Sequence, residues 1–282
     1  MRCRNLGWLL KMKLIEGLMP RVDRIAVVTG GAQGIGAAAA EAFLRGEFSG
    51  VLLVDRQRDT LAETAQSLAP LGQVETIAVD LSEDETPEKV FRQLRKTFGR
   101  VDVLLNAAGN TERCGLDDTT PTSYRRLFDV NVKAPLLMMQ EAAKLMKPTG
   151  QGVIINIASM LAHGGPPNLA TYSASKAALV TLSKSAANTY KRDGIRVFCV
   201  NLGWVNTDGE HATQTKFHGM PENWADSVGK RMPFGRLIGS QDIAGLCLFL
   251  VSPAAQMMTG AVIDYEQMPM GVYDAHPALA PE

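Results

Sequence analysis

Tyr172 and Lys176 stand four residues apart in "TYSASK". If that stretch is helical, the two side chains share one face, and the ammonium can reach beneath the phenol. A phenol with an ordinary pKa of about 10 is a weak base at neutral pH. A neighbouring positive charge favours phenolate and turns the pair into a proton-transfer device. Ser159, at the end of the apolar run "GVIINIAS", could hydrogen-bond a substrate oxygen and stabilise a developing alkoxide. Asn131, in "FDVNVKA", sits inside a helical pattern, which asparagine disfavours unless it makes a local bond. Taken singly, a Tyr–Lys pair is usually a solvated helix face and a strand-end Ser a cap. Their meaning depends on what positions them.

Runs that are nearly continuous in Val, Ile and Leu cover 24–30, 50–55, 74–80, 101–109, 152–159, 195–201 and 260–266, as for strands covered on both faces. Helical patterns alternate with them near 34–47, 57–69, 86–98, 121–147, 171–193 and 241–251. This alternation predicts a single α/β domain, Rossmann-like and doubly wound, with a seven-stranded parallel sheet flanked by helices. It would span 21–268. Residues 208–232 are polar and lie where such folds place their ligands, so they read as a lid. Residues 1–20 read as a poorly ordered extension, with Met12 or Met19 as the natural start, and 269–282 as a tail that packs on a neighbouring subunit or frays.

"TGGAQGIG" (29–36) follows the first strand and opens the first helix. Its glycines let main-chain N–H groups approach a pyrophosphate at the positive end of the helix. Asp55 ends the second strand, where a carboxylate binds ribose hydroxyls and repels a 2′-phosphate. Arg56 softens that repulsion, while Gln33 offers no cation, so NAD is expected over NADP. "NAAG" (Asn106, Ala107, Ala108, Gly109) ends the fourth strand with small residues that allow close cofactor approach. Asn106 pins that turn.

The spacing of Gly30, Gly34 and Gly36 resembles the TGxxxGxG turn of the single-domain short-chain dehydrogenase/reductase family. Together with NAAG, Asn131, Ser159 and the YxxxK pair, in that order, the resemblance runs from about Arg24 to Glu266. It implies that Ser159, Tyr172 and Lys176 are catalytic, and that Asn131 supports a proton-relay water. It also assigns cofactor contacts to Gly30, Gln33, Gly34, Ile35, Gly36, Asp55, Arg56, the pair Asp80–Leu81, residues 106–109, Tyr172 and Lys176. After the sixth strand "NLGWVNT" departs from the family's Asn-Pro-Gly, with Leu202 for Pro. Gly203, Val205 and Thr207 still fall at cofactor positions. The Ala- and Ser-rich helix carrying the Tyr–Lys pair lies at a subunit interface in the family, which implies a dimer or tetramer.

Acidic and basic residues balance at 29 each, which disfavours a nucleic-acid or membrane-surface partner held by bulk charge. Four dispersed cysteines with no CxxC fit reduced thiols in a cytoplasmic protein, and no metal-ligand spacing appears. The substrate is expected to be a small alcohol or ketone. His163, just past Ser159, and His211, in the lid, are candidate substrate contacts. A lid rich in hydrogen-bonding groups suits a sugar or polyol better than a steroid, and "DYEQ" near the C-terminus resembles family members that oxidise sugars and polyols. The alternatives are a 3-oxoacyl thioester reductase, which Asp55 opposes, and a catalytically silent NAD-binding sensor or scaffold, which the intact Ser–Tyr–Lys set opposes. The glycine spacing and the short chain disfavour a sugar-nucleotide epimerase.

Overall fold

A computed structural model describes residues 23–46, 48–216 and 218–271. The expectations for 1–20 and for most of the 269–282 tail lie outside the described residues. Seven strands form one parallel sheet: β1 (Ile25–Thr29), β2 (Gly50–Asp55), β3 (Gln73–Ala78), β4 (Val103–Asn106), β5 (Gly152–Ser159), β6 (Ile195–Leu202) and β9 (Val262–Tyr265). A separate two-stranded piece pairs β7 (Val205–Asn206) with β8 (Ile238–Gly239).

Side chains alternate across the strands, and both sides are dry along β1, β2, β4, β5 and β6, while the edge strands β3 and β9 are only partly buried. Val28, Leu53, Leu105 and Ile155 face one core layer, while Val27, Leu52, Leu104 and Ile154 face the other. The first layer is closed by the helices α1 (Gly34–Arg45) and α2 (Arg58–Leu68), and by α9 (Ser240–Val251), which packs on α1. The second is closed by α3 (Thr86–Thr97), α5 (Ala134–Met146) and α6 (Ala170–Tyr190). This two-sided burial is why the central strands read as nearly unbroken apolar runs.

The strand order is β3-β2-β1-β4-β5-β6-β9. The order of connection therefore reverses between the parallel neighbours β1 and β4, and the loops leaving their carboxyl ends run to opposite sides and open a crevice, the usual ligand position in such sheets. The glycine turn, the 107–111 loop and the start of α1 meet there.

The helix expected over 121–147 is interrupted. It runs as α4 (Pro121–Phe128), a π-turn over Asp129–Lys133, and then α5. The Ala134 N–H reaches back five residues to the Asp129 carbonyl, which gives the wider ring of a π-turn. The expected lid folds as two short helices, α7 (Asp208–Lys216) and α8 (Trp224–Gly229). Trp224 is fully buried and packs with Val228 and Leu237, so the segment has a small apolar core of its own.

Candidate active site

The nucleotide-facing part is built from backbone. Gly30 has φ +68°, and a Cβ there would lie 2.9 Å from the Ala108 amide nitrogen. A Cβ on Gly36 would fall 2.2 Å from the Gly30 carbonyl oxygen. Only glycine lets the turn, the 107–108 backbone and the helix start come this close. The first turn of α1 carries no acidic residue, and Gln33 makes no side-chain cap, so the helix keeps unsatisfied N–H groups facing the cleft. Thr29 Oγ1 accepts the Ala107 and Ala108 N–H groups at 3.1 and 3.2 Å, which fixes the β4 end.

A cleft of about 430 Å³ runs along this edge. Gly30, Gln33, Gly34, Ile35 and Gly36 line its floor, and Ala107, Ala108, Gly109 and Thr207 one wall. Asp55, Arg56, Asp80 and Leu81 line the far end. Asp55 accepts the Ala32 N–H at 3.2 Å through Oδ2 and the Gln57 N–H at 3.1 Å through Oδ1, so its carboxylate braces the glycine turn. The Ser82 main-chain N–H, bonded at 2.8 Å, holds the Asp80 carboxyl below the usual range. Open main-chain donors at a helix start, close-approach glycines and a carboxylate at the second strand end suit the diphosphate and ribose of a dinucleotide.

This cleft opens into a second one of about 570 Å³, and Ile35, Ala107, Gly109, Thr111 and Thr207 border both. Ser159, Tyr172 and Lys176 line the second cleft, as do Gly203 and Val205. Lys176 is buried and donates from Nζ to the Ile157 carbonyl at 2.9 Å, and Nζ lies 5.8 Å from the centre of the Tyr172 ring. A Cβ on Gly109 would lie 3.5 Å from that Nζ, so the absent side chain leaves the approach to Lys176 clear. Ser159 Oγ accepts the Leu161 N–H at 3.2 Å.

Burial dominates the electrostatics. It pushes the Tyr172 phenol up to about 12; the Ser159 hydroxyl pulls it down, Glu210 pushes it further up and Arg113 pulls it down. Burial also lowers the Lys176 ammonium to about 8, against the pull of Cys199. Both shifts disfavour the charged form. A positive charge arriving beside the phenol would therefore act strongly on it.

Asn131 is wholly buried behind the pair. Its Oδ1 accepts the Asn110 N–H at 2.8 Å, while Nδ2 donates to the Asn110 carbonyl at 2.9 Å and to Ser175 Oγ at 3.0 Å. Ser175 Oγ in turn donates to the Tyr172 carbonyl at 2.6 Å. Both amide hydrogens are thus committed to tying the 107–111 loop to α6. Any water at this side chain has only the remaining Oδ1 lone pair.

Asn131 lines neither cleft, and three further expected residues do not either. Asn106 is buried and donates to Asn156 Oδ1 at 2.8 Å, so it holds the strand end from within the core. His163 is turned to the outer strand ends: its Nε2 lies 3.2 Å from both Asp264 oxygens, and Asn201 Nδ2 bonds the same carboxylate at 2.8 Å. His211 faces its own lid, with Nε2 2.9 Å from Glu222 Oε2 and Nδ1 accepting the Trp224 indole N–H at 3.2 Å. In both histidines a carboxylate claims the imidazole. The second cleft is instead lined by Thr111, Arg113, Trp204, Glu210, Gln214 and Glu266. Glu210 is visible as a polar lid residue and Glu266 belongs to the unusual "DYEQ" run; no local signal marks Arg113.

A family model described as enoyl-(acyl carrier protein) reductase matches residues 30–266. The chain is 34% identical over 243 residues to a sorbitol dehydrogenase from Cereibacter sphaeroides, with 83% of this chain and 93% of that one covered. It is 32% identical over 246 residues to a 3alpha-hydroxysteroid dehydrogenase from Mediterraneibacter gnavus, covering 86% and 96%. The crystal structure of L-sorbose reductase from Gluconobacter frateurii, complexed with NADPH and L-sorbose, matches with a TM-score of 0.83 at 29% identity, over 91% of this chain and 100% of that one. A family model over residues 30–266 and relatives above 30% identity over more than four fifths of the chain place the chain in the short-chain dehydrogenase/reductase family of oxidoreductases.

Proposed function

We propose that the protein is an NAD-dependent dehydrogenase that interconverts a secondary alcohol and a ketone on a sugar or polyol. The observation that carries this reading is the lining of one cleft by Ser159, Tyr172 and Lys176 where it opens into the nucleotide cleft. Ile35, Ala107, Gly109, Thr111 and Thr207, which border both clefts, would hold an oxidised nicotinamide, which would supply a hydride acceptor and positive charge. In the oxidative direction the Tyr172 phenolate takes the alcohol proton, and the Ser159 hydroxyl donates to the same oxygen. Lys176 keeps its charge near the phenol and has spare donors for the nicotinamide ribose. Asn131 holds the 107–111 loop against α6, so that both clefts keep their shape. In the reductive direction Tyr172 donates the proton.

The preference for NAD rests on Asp55, whose carboxylate stands at the far end of the nucleotide cleft. The sorbitol dehydrogenase and L-sorbose reductase relatives favour a polyhydroxylated substrate. The match to an enoyl-(acyl carrier protein) reductase family model supports a thioester-reductase reading, and Asp55 opposes the NADPH that such enzymes usually use. A panel of hexitols, ketoses, hydroxysteroids and 3-oxoacyl thioesters, followed by nicotinamide absorbance with NAD(H) and NADP(H), separates these readings. Turnover of a hexitol with NAD supports the proposal; turnover confined to thioesters or steroids rejects it.

A further inference from the structure

Two carboxylates line the substrate cleft, and neither takes part in the proton transfer proposed above. Glu266 directly follows β9. Its Oε1 accepts the Gln267 N–H at 2.5 Å, and its Oε2 lies against Gly203, where a Cβ would fall 2.0 Å away. Glu210 comes from α7. Its Oε1 accepts the Trp204 indole N–H at 2.9 Å and the Gln214 amide at 2.7 Å. Each head group is thus anchored through one oxygen by neutral donors, which do not cancel its charge. A carboxylate offers about four acceptor positions, so acceptor capacity remains on both.

Acceptors of this kind select donors. A hydroxyl reaching either carboxylate forms a charge-assisted hydrogen bond, which is stronger than a bond between neutral groups. A substrate without such hydroxyls leaves a carboxylate desolvated and unpaired, and an acidic substrate adds like-charge repulsion. Arg113 also lines the cleft, but two of its donors are held locally, by the Thr111 carbonyl at 2.8 Å and His218 Nε2 at 3.3 Å.

We propose that Glu266, supported by Glu210, is the specificity-determining acceptor that receives the hydroxyl hydrogens of an uncharged polyol and discriminates against the corresponding acids. This rests on the sugar or polyol reading of the site. Gly203 then serves Glu266 as well as the cofactor side of the cleft, because its missing side chain leaves room for the carboxylate.

The test compares wild type, Glu266→Gln and Glu210→Gln on a hexitol and on the aldonate of the same configuration, at saturating NAD. Wild type is expected to favour the hexitol in kcat/KM. Glu266→Gln is expected to raise the hexitol KM about 10-fold, a charged hydrogen bond's worth, more than it lowers kcat. The hexitol-to-aldonate ratio should narrow in the same variant, and Glu210→Gln should move both quantities in the same direction. Because the ratio is taken within one variant, a partly unfolded preparation does not alter it. If wild type prefers the aldonate, or the ratio is unchanged in Glu266→Gln, the assignment is overturned while hexitol oxidation itself stands. If wild type turns over neither polyol nor aldonate but does oxidise a hydroxysteroid, the functional reading fails, and this inference with it.

Discussion

Replacing Asp55 by Ala should invert the cofactor preference. A 2′-phosphate charge about 4 Å from this carboxylate meets about 4 kcal/mol of repulsion at an effective dielectric near 20. Asp55 is half-buried and the exposed Arg56 adjoins it, so screening and counter-charge reduce this by about half, to about 2 kcal/mol or a roughly 30-fold bias against NADP. The same substitution removes the acceptor for the ribose hydroxyls, a charged hydrogen bond worth about 1.5–3 kcal/mol, which lowers NAD use at least about 10-fold. The two effects reinforce each other, so the NAD/NADP ratio of kcat/KM should swing by about 300-fold. Asp55 also accepts the Ala32 N–H, and losing that brace loosens the glycine turn. That loss weakens both nucleotides alike and cancels in the ratio. Asp55→Asn, which keeps the shape and one acceptor while removing the charge, should fall between wild type and Asp55→Ala. The assay is initial rate against each nucleotide at one fixed alcohol concentration and low salt. A ratio that stays within about threefold of wild type in Asp55→Ala would refute the ribose assignment.

The pH dependence should follow the charges around Tyr172. Glu210 raises the phenol pKa and Arg113 lowers it, so Glu210→Gln should move the acidic limb of the oxidation profile to lower pH and Arg113→Gln to higher pH, read from log kcat/KM against pH. Gly36→Ala should abolish nucleotide binding by fluorescence titration while far-UV circular dichroism stays native, because the new methyl meets the Gly30 carbonyl oxygen rather than a movable side chain.

The sheet was legible because both of its faces are covered. Strands such as "IAVVT" and "GVLLVD" are apolar at nearly every position, and the glycine turn follows the first of them directly. The catalytic candidates were legible for a similar reason: Ser159 ends a strand, and Tyr172 and Lys176 are one helical turn apart. The π-turn at Asn131 was not, since what it satisfies is the backbone of Asn110, 21 residues earlier in the chain. The histidines show the limit of reading residue types without directions. His163 and His211 each lie near the expected place, but Asp264 and Glu222 turn their rings away from the cleft. Trp224 lies in the 208–232 segment that reads as a polar lid, yet it packs with Val228 and Leu237 and is buried. Glu266 reaches the cleft through a contact with Gly203, 63 positions earlier, that no local pattern encodes.

In the proposed reaction Tyr172 transfers the proton of a polyol alcohol at the junction of the two clefts. Its most direct test is hexitol-dependent NADH formation by wild type and Tyr172→Phe, with NAD affinity measured on both by fluorescence titration. Wild type is expected to form NADH, the variant none above background, and both to bind NAD with the same affinity. A Tyr172→Phe enzyme that reduces NAD at the wild-type rate would contradict it.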